Sequence, residues 1–150
     1  FKKENVDVRA LIQDAVDPLL IPMEIKGVTL QLEGEPATFV GDANWTKEAI
    51  INILKNSIEH SAEGGRITIA SQENALFTEI TITDQGSGIP KEDLPHIFKR
   101  FYRGKNASED SVGIGLAMAH SIMKNQDGDI EVSSSPAGTT FSLKIYKHTI

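Results

Sequence analysis

An alternating stretch, Glu79-Ile80-Thr81-Ile82-Thr83, runs into Asp84-Gln85-Gly86-Ser87-Gly88-Ile89-Pro90. Gly86 and Gly88 let a backbone turn sharply and come closer to a ligand than any Cβ allows. Asp84 offers a fixed acceptor at the floor of that turn. Taken alone, the pattern also suits an ordinary strand-to-turn junction. Upstream, Asn52 and Asn56 are four residues apart, so their amides share one helical face, with Lys55, Glu59 and His60 nearby. Asn is a mediocre helix former, so a pair at this spacing asks for a reason. A solvated face is one reason. The other is a hard cation such as Mg²⁺, which suits amide oxygens and is shared with the phosphates of a substrate. Downstream, Ser111-Val112-Gly113-Ile114-Gly115-Leu116 opens a helix with a Gly-rich loop, presenting free N–H groups and the positive helix end to an anion. Together the two glycine turns and the Asn pair point to a phosphate chain with a divalent cation.

Between the turns lies Ile97-Phe98-Lys99-Arg100-Phe101-Tyr102-Arg103. Leu94, Ile97, Phe98 and Phe101 recur at helical spacing, while residues 104–112 have almost nothing to bury. An aromatic anchor followed by a polar loop of low local stability predicts a lid that orders over a ligand. Lys99, Arg100, Lys105 and especially Arg103 can bring positive charge to a phosphate chain. Each is equally at home as a solvated surface charge.

The elements that must hold these residues follow from periodicity and punctuation. Residues 4–8 alternate as a short edge strand, and Arg9 to about Ile25 has helical spacing that Pro18 should kink or end early. Strands are predicted at Val28–Leu32 and Thr38–Val40. Asp42 then caps a long helix to about His60, with Ala49, Ile50, Ile53, Leu54 and Ser57 on its buried face. Residues 66–71 and 76–82 form a hairpin, Lys91 to about Phe101 a short helix, and Gly115 to about Asn125 an apolar helix. Residues 130–133 and 140–145 close the chain as a last hairpin. The sum is an α/β sandwich, with several strands in one mixed sheet and about three helices on one face.

Composition narrows the function classes. At 150 residues the chain is one domain with a real core, and 39% hydrophobic residues plus 12 glycines, about 47%, is the globular norm. A net charge of -6 with no Lys/Arg cluster argues against gripping nucleic acid. Any phosphate site must rest on a few placed residues rather than a field. There are no cysteines, hence no disulfides or thiolate metal sites. The longest apolar run, residues 18–23, is too short to span a bilayer, so no membrane contact is expected of this domain. The chain begins at Phe1 rather than Met, as a piece of something larger would.

Four motifs in order now carry a resemblance. Residues 52–61 resemble the N box of sensor histidine kinases, Asp84-Gln85-Gly86-Ser87-Gly88-Ile89 the first glycine box, residues 97–103 the F box, and Val112-Gly113-Ile114-Gly115-Leu116-Ala117 the second glycine box. The resemblance covers nearly all of residues 1–150 and implies the Bergerat-type ATP-binding fold of a kinase catalytic domain, with an ATP lid at about 91–112. It implies that Asp84 reads the adenine amino group, supported by Thr139. Asn56 would hold Mg²⁺ against the triphosphate with Asn52 helping, and His60 would stand near the phosphates. Arg103 would contact the γ-phosphate, making it and Asn56 the catalytic pair. Gly113, Gly115 and Leu116 would supply amide donors, and Phe98 and Phe101 would seat the lid. Gly86, Gly88, Ile89, Tyr102 and Val112 complete the expected nucleotide-binding set.

Departures from the pattern sharpen the expectation. Ser111 stands where the second glycine box usually begins with Gly, and Glu59 where many members have a phosphate-facing Lys. His60, His96, His120 and His148 are followed by Ser, Ile, Ser and Thr, whereas the phospho-accepting histidine of these kinases is usually followed by an acidic residue on a two-helix dimerisation domain. The chain therefore reads as the catalytic half alone, monomeric when isolated, serving a histidine-bearing dimerisation domain in cis or trans and, downstream, a response regulator. Full-length relatives are commonly membrane-anchored, which puts this domain on the cytoplasmic side. Where related ATPases keep a glutamate as base for water, Asn52 cannot take a proton, which favours transfer over hydrolysis. Two other readings share these residues: a non-catalytic nucleotide-binding or interaction module, and a serine kinase of the anti-sigma-factor type.

Overall fold

The structure, a computed structural model, describes residues 1–100 and 115–147. Strand β1 (Glu4–Asp7) leads directly into helix α1 (Val8–Val16). Pro18 ends that helix as its missing N–H requires: Asp17–Leu19 tighten into a 3₁₀ turn before α2 (Leu20–Lys26) resumes. Gly27, at φ 75°, closes α2 in the left-handed conformation a helix end favours. Strands β2 (Thr29–Gly34) and β3 (Thr38–Gly41) follow. Asp42 then starts α3 (Ala43–His60), its side chain accepting the Trp45 amide at 2.9 Å.

Beyond α3 come β4 (Arg66–Glu73) and β5 (Phe77–Thr83), the predicted hairpin. The short helix expected from Lys91 to about Phe101 is not formed over its described part. Residues 91–100 make turns around a single 3₁₀ segment, Leu94–His96. Pro95 explains the difference, because it donates no hydrogen bond and biases Leu94 away from helical dihedrals. Helix α4 (Gly115–Lys124) and the hairpin of β6 (Gly128–Ser135) with β7 (Gly138–Tyr146) complete the described chain. Among the described residues no helix is long and apolar enough to cross a membrane.

The main sheet has five strands in the order β2-β4-β5-β7-β6, with β2 parallel to β4 and the other neighbours antiparallel. β1 and β3 stay out of it and pair with each other, antiparallel, in a separate ribbon. Both are four residues long, and their pairing turns Val6 and Phe39 inward, each 5% exposed. Along β4, β5 and β7 the period-two alternation sends Ile67, Ile69, Ile80, Ile82, Phe141, Leu143 and Ile145 to one face. The buried stripes of α1, α3 and α4 cover that face, α3 with Ala49, Ile50, Ile53, Leu54 and Ser57 as its spacing predicts. Each large side chain fully buried there contributes about 1.5–3 kcal/mol. The fold is therefore the predicted two-layer sandwich, with helices on one face of a mixed sheet.

Register decides what meets at one end of this sheet. Thr83 pairs with Thr140, so the end of β5 abuts the start of β7 and Asp84 reaches Thr139. Gly86 bridges to Ser61 just beyond α3.

Candidate functional site

Asp84 sits at the floor, 2% exposed. Its Oδ1 accepts two backbone hydrogen bonds, from Gly86 at 2.9 Å and from Thr139 at 3.3 Å, while its own amide donates to the Thr139 carbonyl at 2.9 Å. Both side-chain bonds fall on the same oxygen. Burial pushes the carboxyl above its ordinary range, opposed by those two amides and by the charge of His60. A buried, oriented carboxylate oxygen suits a ligand with an N–H donor.

The glycines make this packing possible. A Cβ on Gly86 would lie 2.1 Å from the His60 carbonyl oxygen, and one on Gly138 2.1 Å from that of Asp84. Gly88 adopts φ +87°, and a Cβ there would lie 2.2 Å from the Ser135 carbonyl oxygen. Ile89 leaves the turn half-buried against the core, its amide donating to Ser134 Oγ at 2.7 Å.

On α3, Asn52, Asn56 and His60 are half-buried and, at four-residue spacing, share one side of the helix. A Cβ on Gly115 would come 3.6 Å from Asn52 Oδ1, which sets the N box against the opening of α4. Among the described residues Asn52 Nδ2 and Ser57 Oγ are buried with no hydrogen-bond partner. A buried polar group without a partner costs about 1–3 kcal/mol, so such atoms beside a candidate site call for a ligand or water. Leu116 is half-buried and packs on the core. Phe98 stacks on His120 of α4, with centroids 5.1 Å apart, and meets Phe141 edge-on at 6.4 Å. That contact anchors the entry to the predicted lid.

The structure therefore brings together His60, Asp84, Gly86, Gly88, Ile89 and Thr139 at one end of the sheet, sets Asn52 against Gly115, and leaves Asn56 one turn from Asn52 on α3 and Leu116 at the opening of α4. Phe101, Tyr102, Arg103, Ser111, Val112 and Gly113 lie outside the described residues. Sequence reasoning missed Ser134, although hairpin register across Pro136-Ala137-Gly138 would have paired it with Thr139. It also missed His120 as the partner of Phe98. A cavity of about 580 Å³ lies at the opposite end of β5 and β7, lined by Phe39, Gln126, Tyr146 and Lys147 among others, and none of the predicted site residues lines it. Among the described residues no three His, Cys, Asp or Glu side chains gather to hold a metal ion.

Residues 41–149 match the family described as histidine kinase-, DNA gyrase B- and HSP90-like ATPase. The chain belongs to this family. It is 34% identical over 148 residues to sporulation kinase B of Bacillus subtilis, a match that covers 97% of this chain and 34% of that protein. The chain thus spans about a third of the length of that curated relative. A mycobacterial sensor histidine kinase, MprB, superposes with a TM-score of 0.85 at 26% identity, covering 98% of this chain and 100% of that one. Full-length ShkA, solved in complex with AMPPNP, superposes at 0.84 with 18% identity over 98% of this chain and 32% of that one, a likeness of fold alone. Within the family the chain belongs with the catalytic domains of histidine kinases.

Proposed function

We propose that this chain binds Mg-ATP and passes the γ-phosphoryl group to a histidine on a separate dimerisation domain. In this reading residues 1–150 are one catalytic domain, with a lid at about 91–112 and the phosphoacceptor elsewhere. The observation that carries it is Asp84, buried, with both side-chain hydrogen bonds on Oδ1. Oδ2 is then the oxygen that accepts from the adenine amino group. Thr139 backs the base, and Gly86, Gly88 and Ile89 shape its edge. The unmet amide of Asn52 fits a phosphate chain lying between α3 and α4. Asn56 would hold Mg²⁺ through its amide oxygen, and the metal, once bound, offsets phosphate charge. His60 stands beside the phosphates, and Gly113, Gly115 and Leu116 donate amides at the opening of α4.

Arg103 would then meet the γ-phosphate under a lid seated by Phe98 and Phe101, with Tyr102 and Val112 among the nucleotide-binding residues. The acceptor histidine's ring nitrogen forms the new N–P bond as the P–O bond to ADP breaks, and ADP keeps the electron pair. No residue named here need accept a proton from water, and Asn52 cannot. The work is positioning and charge neutralisation, as in other phosphoryl transfers. The partners that follow are the histidine-bearing domain and, downstream, a response regulator, on the cytoplasmic side of a membrane-anchored sensor.

Calorimetric titration of ATP with and without Mg²⁺, followed by mixing with a histidine-bearing dimerisation domain, tests this. Saturable Mg²⁺-dependent binding and labelled histidine are expected. Binding without transfer would favour a nucleotide-binding interaction module, label on serine would favour a serine kinase, and no binding would remove the reading.

A further inference from the structure

The cavity at the far end of β5 and β7 runs along β3 of the separate β1–β3 ribbon. Register fixes which backbone groups face it. The Val8 amide donates to the Ala37 carbonyl at 3.0 Å, and an antiparallel ladder alternates, so Val6–Phe39 and Glu4–Gly41 are the pairs that exchange hydrogen bonds. Asn5–Val40 and Asp7–Thr38 do not exchange them, and Thr38, Val40 and Asp42 turn their backbone groups to the free edge of β3. The bonds along that edge agree. The Thr38 amide donates to Glu73 Oε1 at 2.9 Å, and its carbonyl accepts from Thr78 Oγ1 at 2.7 Å. The Asp42 amide donates to Gln126 Oε1 at 3.1 Å. Side chains thus cover both ends of the edge. Val40 between them is 59% exposed, and among the described residues nothing meets its amide or carbonyl.

An unpaired strand edge is a template for another strand, and folded proteins usually cover or charge it. Here the uncovered point opens on a groove with buried Phe39 and Ile145 at its floor and exposed Val40 and Tyr146 on its walls. Its charged groups are three lysines and two acids. Lys147 and Glu73 offset each other in an ion pair at 2.6 Å. The Lys2 and Lys3 side chains make no hydrogen bond or ion pair among the described residues, and Asp127 is the one acid left against them.

We propose that this groove is a docking site for an extended, acidic segment of a partner protein, which adds to β3 as a third strand. Its main chain exchanges two hydrogen bonds with Val40, an apolar side chain packs on Val40 and Tyr146, and a carboxylate meets Lys2 and Lys3. The edge from Thr38 to Asp42 is about 13 Å long, enough for a short stretch of strand. Two lysines on a chain of net charge -6 do not make the positive field that nucleic acid or a lipid surface requires. A peptide needs only the one placed contact. The site lies away from Asp84 and does not depend on the nucleotide reading.

The test is titration of two short capped peptides into the chain, one alternating Val with Glu and one alternating Val with Lys, read by amide chemical shifts and hydrogen exchange. The acidic peptide should bind saturably with a submillimolar Kd and slow exchange at the Val40 amide. The basic peptide should bind at least about tenfold more weakly. Lys2→Glu with Lys3→Glu, both exposed, should erase that preference. Val40→Pro removes a donor from the uncovered edge alone and should cost about tenfold in affinity. The acidic peptide N-methylated throughout removes the same bonds without altering the protein, and should not bind. No saturable binding of the acidic peptide, equal affinity for both peptides, or binding that survives N-methylation overturns the proposal. Protection of Val40 that grows with protein concentration in the absence of peptide makes the occupant a second copy, and overturns it as well.

Discussion

Asp84 keeps a carboxylate where burial disfavours charge, and that has a measurable signature. Because its pKa is raised in the folded state, the folded protein holds a proton the unfolded chain has already lost. Stability from this group is therefore highest at low pH and falls as pH rises from the ordinary carboxylate range through the raised folded value. Asp84→Asn removes that slope and keeps an acceptor for the Gly86 and Thr139 amides. By urea unfolding the variant should be at least as stable as the parent at neutral pH. Its Nδ2 would face the adenine amino group, donor against donor, so ADP affinity should drop at least about tenfold. Unchanged affinity would mean the turn reads no base. At this scale the sequence was informative: Asp84 at the floor of its turn and the shared face of Asn52 and Asn56 on α3 were legible because residue type and spacing alone fix them. Ser134 was not, because its role depends on Ile89, 45 positions away.

Among the elements, α3 shows how far local rules reach. Asp42 caps it through Trp45, and its Oδ2 also accepts the Lys2 amide at 2.8 Å. The Trp45 and Lys2 amides hold its carboxyl below the usual range. The sign is opposite to that of Asp84: this stabilisation is present above the unfolded carboxylate pKa and is lost as pH falls through the lowered folded value. Asp42→Ala should cost about 1–2 kcal/mol at neutral pH by denaturant unfolding, with the difference shrinking in acid. A difference below a few tenths at neutral pH would make the cap decorative. The cap and the break at Pro18 were readable because both act within one turn of helix. Pro95 carried the same message, yet the apolar spacing of Leu94, Ile97 and Phe98 spoke for a helix; lost backbone bonds outweighed periodicity. Gln126 could not be anticipated: it accepts the Asp42 amide at 3.1 Å and donates to Thr46 Oγ1 at 2.6 Å, joining the end of α4 to the start of α3.

For the whole molecule, the proposed division of labour separates base recognition at the sheet end from γ-phosphate contact under the lid. Arg103→Ala should leave ADP affinity within about twofold while cutting transfer to an added dimerisation domain about a hundredfold or more, since arginine contacts to transferring phosphoryl groups act mainly in the transition state. Parallel loss of ADP binding and transfer would make Arg103 a residue that merely holds the fold. Chelation of Mg²⁺ should abolish transfer and weaken ATP more than ADP, because the triphosphate carries more charge for the metal to offset.

By itself the sequence determined the helical and strand segments other than the expected helix at 91–101, the cap on α3, the turns at Gly86 and Gly88, and, through four ordered motifs, the family. These depend on neighbours within a few residues, where dihedral preference and side-chain period act directly. Tertiary structure decided that β1 and β3 pair apart from the main sheet, that β7 lies between β5 and β6, and that Ser134 meets Ile89. A period-two pattern says which face of a strand is buried and nothing about which strand lies beside it, because every apolar strand can cover the same core until packing selects one order.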